Sequence, residues 1–366
     1  MAEFSEAHDE LRTVAREVLN GLSPLVTGGT APLPADWDVM AASGWLGLEV
    51  PEAYDGAGAT VAEVAVILHE LGRAAVASPY LGSVVLGVGA LNLLEPRPQV
   101  AEMLESVASG RECTAVVLPT GAECLAAPAA PFTLRRDGRG LVLNGAADFV
   151  PDATEADRLL IVAGDPDGGP VIVQVGTGQP GLQLSPQPVI DLTRRLALVR
   201  AVDVEIDAAA VFTFAHDPPG SCARLLDRGA VATACDSLGV AEAVLEATVA
   251  YVEVRHQFGR PVGSFQAVKH ACADMLVQVT VGRELVEQAV VAVASGADDA
   301  WIAVSQAKSH VGQSAVEVAG KAMQLHGGIG YTWERGIHTF LKRATLNRSL
   351  FGSPSAHRRR LGARFT

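Results

Sequence analysis

The sequence has no arrangement of cysteine that would hold a metal ion or a disulfide framework. Its five cysteines lie far apart, with no CxxC pair and no cluster of cysteine with histidine. Structural zinc sites need such ligands at close spacing, and disulfide-rich domains have paired cysteines at a higher density. We therefore predict no metal site and expect reduced, mostly buried thiols, as in a cytoplasmic protein.

Positive charge and unbroken apolar runs are also scarce. The 28 Lys and Arg oppose 41 Asp and Glu, and this formal net charge of −13 argues against nucleic acid as a partner. The uncharged stretch 74–94 is interrupted by one proline and three glycines, which favours a buried helix after a turn over a membrane span. The first residues, MAEFSEAHDELRTVAREVL, lack the apolar region of a signal peptide.

Apolar residues are abundant, at 49% of 366 residues, which is enough for two or three domains with buried cores. Helical spacing extends to about residue 110, short β-rich runs occupy 111–212, and helical spacing then returns. We therefore predict a mainly α protein with a β middle domain, divided into residues 1–110, 111–212 and 213–366. The β runs are typical of an antiparallel sheet or barrel. The predicted helices cover residues 4–22, 36–43, 61–72, 83–93, 98–109, 222–257, 264–295, 299–325 and 335–350.

Two segments with unusual residues interrupt the predicted C-terminal helices. The first, RHQFGRPVGSFQ, places Arg255 at a helix end, where an arginine either caps the helix or holds an anion such as a diphosphate. The second, QLHGGIGY (Gln324–Tyr331), is rich in glycine, which lets a ligand or another chain approach the backbone. His326 in this segment is expected to pack or to bond the backbone. Each segment alone is also compatible with an ordinary structural role.

Together these segments resemble the acyl-CoA dehydrogenase family, and the resemblance extends over nearly the whole chain. GWLGLEVPEAYDGAGAT (Gly44–Thr60) and HELGRAAVASPY (His69–Tyr80) are similar to its N-terminal helical domain, and DGRGLVLNGAADFV (Asp137–Val150) to its β-domain. RHQFGRPVGSFQAVKH and QLHGGIGY match its C-terminal domain. The resemblance implies an N-terminal helical domain, a β-barrel-like middle domain and a C-terminal four-helix bundle.

The resemblance also implies a reaction and a cofactor. Family members remove two hydrogens across Cα–Cβ of an acyl-CoA thioester: a carboxylate takes the α-proton, and the β-hydrogen leaves as hydride to FAD. In the family, the Arg of RxxFG and the Gln and Gly of QLxGGxG bind the diphosphate and adenosine part of FAD across a subunit interface. The matching positions here are Arg255, Phe258, Gln324, Gly327 and Gly328.

The family's catalytic base has no counterpart at either of its usual positions. Phe351 stands where a C-terminal YEGT motif has its Glu, and Gly229 stands where other members carry a Glu on the first bundle helix. Asp236, two turns further along that helix, is the candidate surrogate, and its alternative is a solvated or helix-capping role. Further along the helix, a solvated face is predicted from Glu242, Glu246 and Glu253.

The flavin-ring side also departs from the family. Members show a TEPxAGSD-like loop and then WITNG, whereas this chain has VLPTGAECLAAP (Val117–Pro128) and FVPDA (Phe149–Ala153). The hydroxyls expected to bond the flavin and the Trp expected to cover it are missing, and Pro151 lacks a backbone N–H. The chain thus retains the trans half of an FAD site and lacks the cis half.

Three functional hypotheses follow for this protein, which we expect to be cytoplasmic and not to associate with a membrane. In the first, the chain is one subunit of a hetero-oligomeric acyl-CoA dehydrogenase whose homologous partner supplies the catalytic Glu. Here the resemblance is greatest to the smaller, degenerate subunit of actinobacterial α2β2 enzymes of steroid side-chain degradation. In the second, it is a self-sufficient homotetramer with a base such as Asp236. In the third, it is a non-catalytic scaffold or acyl-binding module.

Overall fold

The structure, a computed structural model, describes residues 6–27, 33–126, 130–138, 140–165, 168–332 and 335–365. Helices, then strands, then helices follow one another along the chain, so the predicted fold class is confirmed. The strands of the large sheet begin at Thr114 and end at Phe212. The domain boundaries at 110 and 212 stay predictions. The start of the first predicted helix and the end of the segment Val117–Pro128 lie outside the described residues.

The N-terminal region contains the helices α1 (Glu6–Asn20), α2 (Pro24–Thr27), α3 (Trp37–Ala42), α4 (Val61–Ala74), α5 (Gly89–Leu91) and α6 (Pro98–Ala108). The sequence explains the start of α4. The Thr60 hydroxyl accepts the amide of Ala62 at 3.1 Å, and the Glu63 carboxylate accepts the amide of Thr60 at 2.8 Å. This reciprocal capping satisfies amides that have no partner within the helix. Most of the helix that follows is apolar and buried.

A buried π-helical segment, Leu81–Val88, precedes α5. Its glycines let the β-domain approach closely, since a Cβ on Gly82 would lie only 2.9 Å from the Cβ of Asp152. The buried helix predicted within residues 74–94 is therefore present. In the described part of the chain, no helix is long and apolar enough to cross a bilayer.

The middle region is a mixed sheet, whereas the strand spacing predicted an antiparallel sheet or barrel. Its spatial order is β6-β7-β3-β2-β4-β5-β8, with β1 beside β4, for strands β1 (Thr114–Val117), β2 (Phe132–Asp137), β3 (Gly140–Pro151), β4 (Arg158–Gly164), β5 (Pro170–Gly176), β6 (Leu182–Gln187), β7 (Leu196–Ile206) and β8 (Val211–Phe212). β4 runs parallel to β1 and to β2, and neither pair is joined directly, since β2 and β3 lie between β1 and β4 in the chain and β3 lies between β2 and β4. β6 and β8 were not predicted, since LQLSPQ is largely polar and VF is too short to show a period.

Both faces of the sheet are covered at its centre. Along β4, Leu159 and Ile161 belong to a core within the β-domain, whereas Leu160 and Val162 belong to the core shared with the helices. Successive side chains of a strand face opposite sides, so a strand between two cores is apolar throughout. This explains the uninterrupted apolar run of β4.

The C-terminal region is a bundle of the helices α7 (Pro218–Val254), α8 (Gln266–Ala294), α9 (Ala300–His326), α10 (Ile337–Ser349) and α11 (Pro354–Gly362). The longest of them, α7, packs against α4, α8, α9 and α10. It is therefore buried over much of its length. This placement makes α7 the element that connects the N-terminal helices to the rest of the bundle.

The solvated face predicted on α7 is wrong at Glu242. Its carboxylate is buried between helices, where it accepts hydrogen bonds from His69 of α4 at 3.0 Å and from Arg283 of α8 at 2.8 Å. The spacing of the three glutamates predicts only a common face of α7. Neighbouring helices cover this face at Glu242 and leave it exposed at Glu246 and Glu253.

Candidate cofactor site

A β-hairpin at the C-terminal end of α7 contains the first predicted segment. The strands β9 (His256–Gln257) and β10 (Arg260–Pro261) pair across a two-residue loop. Both loop residues, Phe258 and Gly259, have positive φ (51° and 77°), as a type I′ turn requires. Glycine adopts this conformation freely, whereas Phe258 adopts it at a steric cost. The turn leaves Phe258 89% exposed, with its ring edge-on to Phe265.

The glycine-rich segment forms a tight turn at the end of α9. The helix ends at His326, and Gly327 follows with φ 66° and ψ −144°, a conformation that is essentially restricted to glycine. Apart from its chain neighbours, no atom of the described residues would lie within 4 Å of a Cβ at Gly327 or Gly328. The backbone here therefore borders open space and is accessible to a ligand.

The hairpin and the glycine turn line one surface cavity of about 520 Å³. Arg255, Gln324, Gly327 and Gly328 all border it, so folding brings together four of the five residues predicted to bind a cofactor. The fifth, Phe258, is not part of the cavity lining and lies at the exposed tip of the hairpin.

The cavity has a positively charged wall. Within the described part of the chain, Arg255 has no ion-pair partner. Arg335, the second arginine of the lining, places its guanidinium carbon 5.5 Å from the centre of the Tyr251 ring. The described residues that line the cavity include no carboxylate, and guanidiniums can bind an anion through charge-assisted hydrogen bonds. Gln324 adds an amide donor and acceptor to the same wall.

Tyr251 and Arg335 were not predicted from the sequence. The rings of Tyr251 and His326 stack with their centres 4.4 Å apart, and His326 donates through Nδ1 to the Ala322 carbonyl at 2.8 Å. Burial lowers the pKa of His326, so its ring is neutral and packs as expected. Tyr251 lies in the last turn of α7, four residues before Arg255, which follows directly after the helix, and this closeness in sequence could have identified it. No comparable signal pointed to Arg335, which folds back only after the glycine turn.

The two positions predicted to correspond to the family's catalytic base touch each other. Gly229 lies on α7, and the ring of Phe351 covers it: a Cβ at Gly229 would lie 2.7 Å from Cγ of that ring, and closer still to two other ring carbons. Phe351 is fully buried. Neither position offers a carboxylate, and the space between them is filled.

Asp236 is a buried ion-pair partner, which leaves its suggested role as a base without support. Its oxygens accept hydrogen bonds from Arg343 at 2.9 and 2.5 Å, from Arg194 at 2.8 Å and from Asn347 at 2.6 Å. Burial alone raises the pKa of this carboxyl, but the two guanidiniums outweigh burial and lower it. Asp236 is 0% exposed in the middle of α7, so a solvated or capping role does not apply either.

On the expected flavin-ring side, the groups of the chain bond to one another. The Thr120 hydroxyl donates to the Phe149 carbonyl at 2.7 Å. The carboxyl of Asp152 is buried and accepts the amide of Gly82 at 2.8 Å, and burial raises its pKa to about 7. Pro151 ends β3 opposite Leu196 of β7. This side of the molecule is a packed junction between the β-domain and the N-terminal helices.

The architecture corresponds to a known family of flavoenzymes. Residues 3–111 match the family model described as "Acyl-CoA dehydrogenase, N-terminal domain", and residues 221–366 match "Acyl-CoA dehydrogenase, C-terminal domain". The chain therefore belongs to the acyl-CoA dehydrogenase family, whose members are oxidoreductases that depend on FAD. The resemblance and the cofactor predicted from the sequence are thus confirmed.

Individual relatives cover nearly the whole chain. It is 31% identical to the acyl-CoA dehydrogenase IpdE2 of Mycolicibacterium smegmatis over 316 residues. The aligned residues cover 86% of this chain and 83% of that protein. Among solved structures, it is similar to a variant of the Tcur3481-Tcur3483 steroid ACAD, with a TM-score of 0.84, 29% identity and coverage of 98% and 97% of the two chains. It is also similar to the ChsE4-ChsE5 complex from Mycobacterium tuberculosis, with a TM-score of 0.86, 26% identity and coverage of 99% and 97%.

Proposed function

We propose that this chain is one subunit of a hetero-oligomeric acyl-CoA dehydrogenase and that it holds the diphosphate and adenosine part of an FAD whose flavin ring lies on a homologous partner. The observation that carries this proposal is a distance along α7. Gly229 and Arg255 are separated by 26 residues, which in an α-helix corresponds to roughly 39 Å. One FAD does not reach from a phosphate site at Arg255 to a base position at Gly229 of the same chain. The cavity therefore serves a flavin that reacts in another chain.

The base positions favour a homologous partner over a second copy of this chain. In a homo-oligomer, every subunit would have glycine at position 229 and phenylalanine at position 351. Asp236 does not replace the missing carboxylate, because both of its oxygens are occupied by buried donors. A partner with an intact glutamate would supply the group that takes the α-proton.

The residues of the cavity fit the phosphate end of FAD. Arg255 and Arg335 provide charge-assisted donors for the diphosphate, and the open faces of Gly327 and Gly328 allow close approach of the backbone. Gln324 contributes an amide for polar groups of the adenosine part. FAD, when bound, accepts the hydride. In this proposal the chain orients the cofactor and takes no proton from the substrate.

The substrate that we propose is an acyl-CoA thioester with a steroid-derived acyl group. Support comes from the similarity to the Tcur3481-Tcur3483 steroid ACAD. The similarity to the ChsE4-ChsE5 complex supports an assembly of two different chains.

The test compares flavin content in the isolated chain and in the complex with its homologous partner. We expect the isolated chain to purify without flavin and the complex to contain it. Arg255→Ala should weaken FAD binding by the complex roughly 10- to 100-fold, because a charge-assisted contact to phosphate is lost. The control is Arg135→Ala, an exposed arginine of β2. FAD affinity is measured by titration of the apo-complex, with flavin absorbance as the readout.

Two results would contradict the proposal. Stoichiometric FAD with dehydrogenase turnover in the isolated chain would show a self-sufficient enzyme. An FAD affinity that is the same in Arg255→Ala, Arg135→Ala and wild-type complexes would remove the cavity from the cofactor site and favour a scaffold.

A further inference from the structure

The contact between Gly229 and Phe351 joins two residues that accommodate each other. Glycine is unfavourable inside a helix, and Gly229 lies within the long helix α7. Its missing side chain leaves a notch on α7, and the ring of Phe351 fills this notch without remaining exposure. Any side chain at position 229 would overlap the ring. Position 229 must therefore be glycine while Phe351 is present, and the Phe351 ring fits only because position 229 has no side chain.

The backbone around Phe351 is fixed by a short ladder of hydrogen bonds. The amides of residues 351, 352 and 353 donate to the carbonyls of residues 120, 121 and 122 at 2.6, 3.3 and 2.8 Å. The C-terminal segment is thus bonded directly to the loop that stands where the family binds the flavin ring. The Phe351 amide has no capacity left to bind a ligand.

His357 binds Phe351 from the other side. Its Nε2 donates to the Phe351 carbonyl at 2.9 Å, and its Nδ1 accepts the hydroxyl of Ser305 at 3.1 Å. Burial lowers the pKa of His357 to about 4, so the neutral ring maintains both bonds at physiological pH. Phe351 itself has φ 54°, a conformation that is costly for a phenylalanine and that persists because its partners hold it.

The helices next to the notch are tied together as well. Arg228, the residue before Gly229, forms an ion pair with Glu49 and donates to the Val85 carbonyl of the π-helical segment. These bonds of Arg228 hold the N-terminal region against α7 beside the Phe351 ring. The amide, the carbonyl and the ring of Phe351 all have partners within the chain.

We infer that Gly229 and Phe351 form a plug that closes the acyl cleft of this subunit, so that an acyl-CoA thioester enters only the cleft of the partner. The inference rests on the proposed function, since it assumes that a partner carries the working cleft. The plug decides which subunit accepts substrate. A base introduced at position 229 alone would not restore an active site, because the ring would still occupy the space.

The first test is a double-mutant cycle on the isolated chain. Gly229→Ala should lower Tm by at least about 3 °C, because the methyl group collides with the ring. Phe351→Ala should also lower Tm, because it opens a cavity. The double variant should lose clearly less than the sum of the two shifts, because the methyl group then occupies space that the ring has left. Additive shifts would show that the two positions are not a matched pair.

The second test measures binding of octanoyl-CoA to the isolated chain by titration calorimetry, with free CoA as a reference. The wild-type chain should show no acyl-dependent binding, and Phe351→Ala should bind octanoyl-CoA at least 10-fold more tightly than wild type. The matched control is Phe340→Ala, an equally buried phenylalanine on α10, which should show no gain. Acyl-dependent binding by the wild-type chain as tight as that of Phe351→Ala, or an equal gain in Phe340→Ala, would overturn the plug.

The two proposals fail in different ways. If the wild-type chain binds octanoyl-CoA but contains no flavin, the plug is wrong and the subunit proposal is unaffected. If the chain excludes octanoyl-CoA but Arg255→Ala leaves FAD affinity of the complex unchanged, the plug holds and the shared FAD site is wrong. Should Phe351→Ala not fold, the wild-type titration still decides whether the cleft is closed.

Discussion

Two guanidinium groups and one carboxylate meet in the interior of this protein. Arg343 of α10 and Arg194 of the loop before β7 both bind Asp236 of α7, and Arg343 also donates to the Val76 carbonyl at 2.7 Å. This cluster of charges thus joins the N-terminal region, the β-domain and the bundle. Taking these charges out of water is costly, and the cost is offset only while all partners are present.

We therefore expect Asp236→Asn to lower the free energy of unfolding by about 3 kcal/mol at pH 7, because two buried guanidiniums lose their counter-charge. The pKa of Asp236 is lowered in the folded state. The stabilisation of the folded state by the ionised carboxylate is therefore present above the unfolded pKa of about 3.9. It is lost as the pH falls through the lower folded-state pKa. Urea unfolding of the wild type and of Asp236→Asn between pH 7 and pH 3 measures the difference in the free energy of unfolding at each pH.

The control for this prediction is the exposed Asp298→Asn, which should change the free energy of unfolding by less than about 0.5 kcal/mol. A loss in Asp236→Asn no larger than in the control would contradict the structural role. A complex with Asp236→Asn that is as stable as wild type but has lost turnover would restore Asp236 as a candidate base.

At the scale of elements, α4 and α7 are joined by charged groups as well as by apolar packing. His69 of α4 donates to Glu70 at 3.1 Å and to Glu242 of α7 at 3.0 Å. Burial alone lowers the pKa of His69, but the hydrogen bonds to Glu242 and Glu70 outweigh burial and raise it. Against the effect of burial, the same bonds lower the pKa of both carboxyls to about 2. The joint is therefore strongest when His69 is protonated.

This arrangement predicts a pH-dependent effect of His69→Gln. The folded state raises the pKa of His69. The stabilisation of the folded state by the protonated ring is therefore fully present below the unfolded pKa of about 6.5, and it is lost as the pH rises through the folded-state pKa. The variant should be less stable than wild type by about 2 kcal/mol at pH 6 and by clearly less at pH 9. Urea unfolding at both pH values gives the two differences.

The exposed His270→Gln on α8 is the control, and its difference from wild type should be small at both pH values. If the destabilisation by His69→Gln increased from pH 6 to pH 9, the assigned protonation of the joint would be wrong.

At the scale of the whole molecule, large exposed apolar residues lie near the cavity between the hairpin and the glycine turn. Val254 is 73%, Phe258 89% and Tyr331 71% exposed, and all three belong to the hairpin region or the glycine turn. Exposed apolar groups of this size at the edge of a polar cavity mark a surface for association. In the proposed assembly, the partner that carries the flavin ring covers them.

We expect Phe258→Asn to weaken association with the partner at least 10-fold and to leave the isolated chain as stable as wild type within about 0.5 kcal/mol. Asparagine tolerates the positive φ of this position, so the hairpin is kept while the ring is removed. Association is measured by sedimentation of mixtures, and stability by urea unfolding. The control Ile190→Asn removes an exposed apolar residue between β6 and β7 and should not affect association. Equal association of the two variants would remove the hairpin from the interface.

The sequence-based predictions succeeded where local interactions decide the structure and failed where contacts between distant segments decide it. The helices α7, α8 and α9 were located to within a few residues, because helical periodicity and glycine or proline breakers are local signals. The parallel neighbours of β4 were missed, since pairing of non-consecutive strands leaves no local trace. In the cavity, motif residues were identified, whereas Arg335 depends on the path of the chain after the glycine turn.

The sequence by itself determined the fold class, the family, four of the residues that line the cavity and the absence of a glutamate at positions 229 and 351. Such information is carried by residue identity and local spacing. Only the tertiary structure decided that Gly229 and Phe351 touch, that Asp236 is enclosed by Arg343 and Arg194, and that Glu242 is buried. Contacts and burial depend on which distant segments pack together, and this packing brings the two positions predicted for the catalytic base into contact.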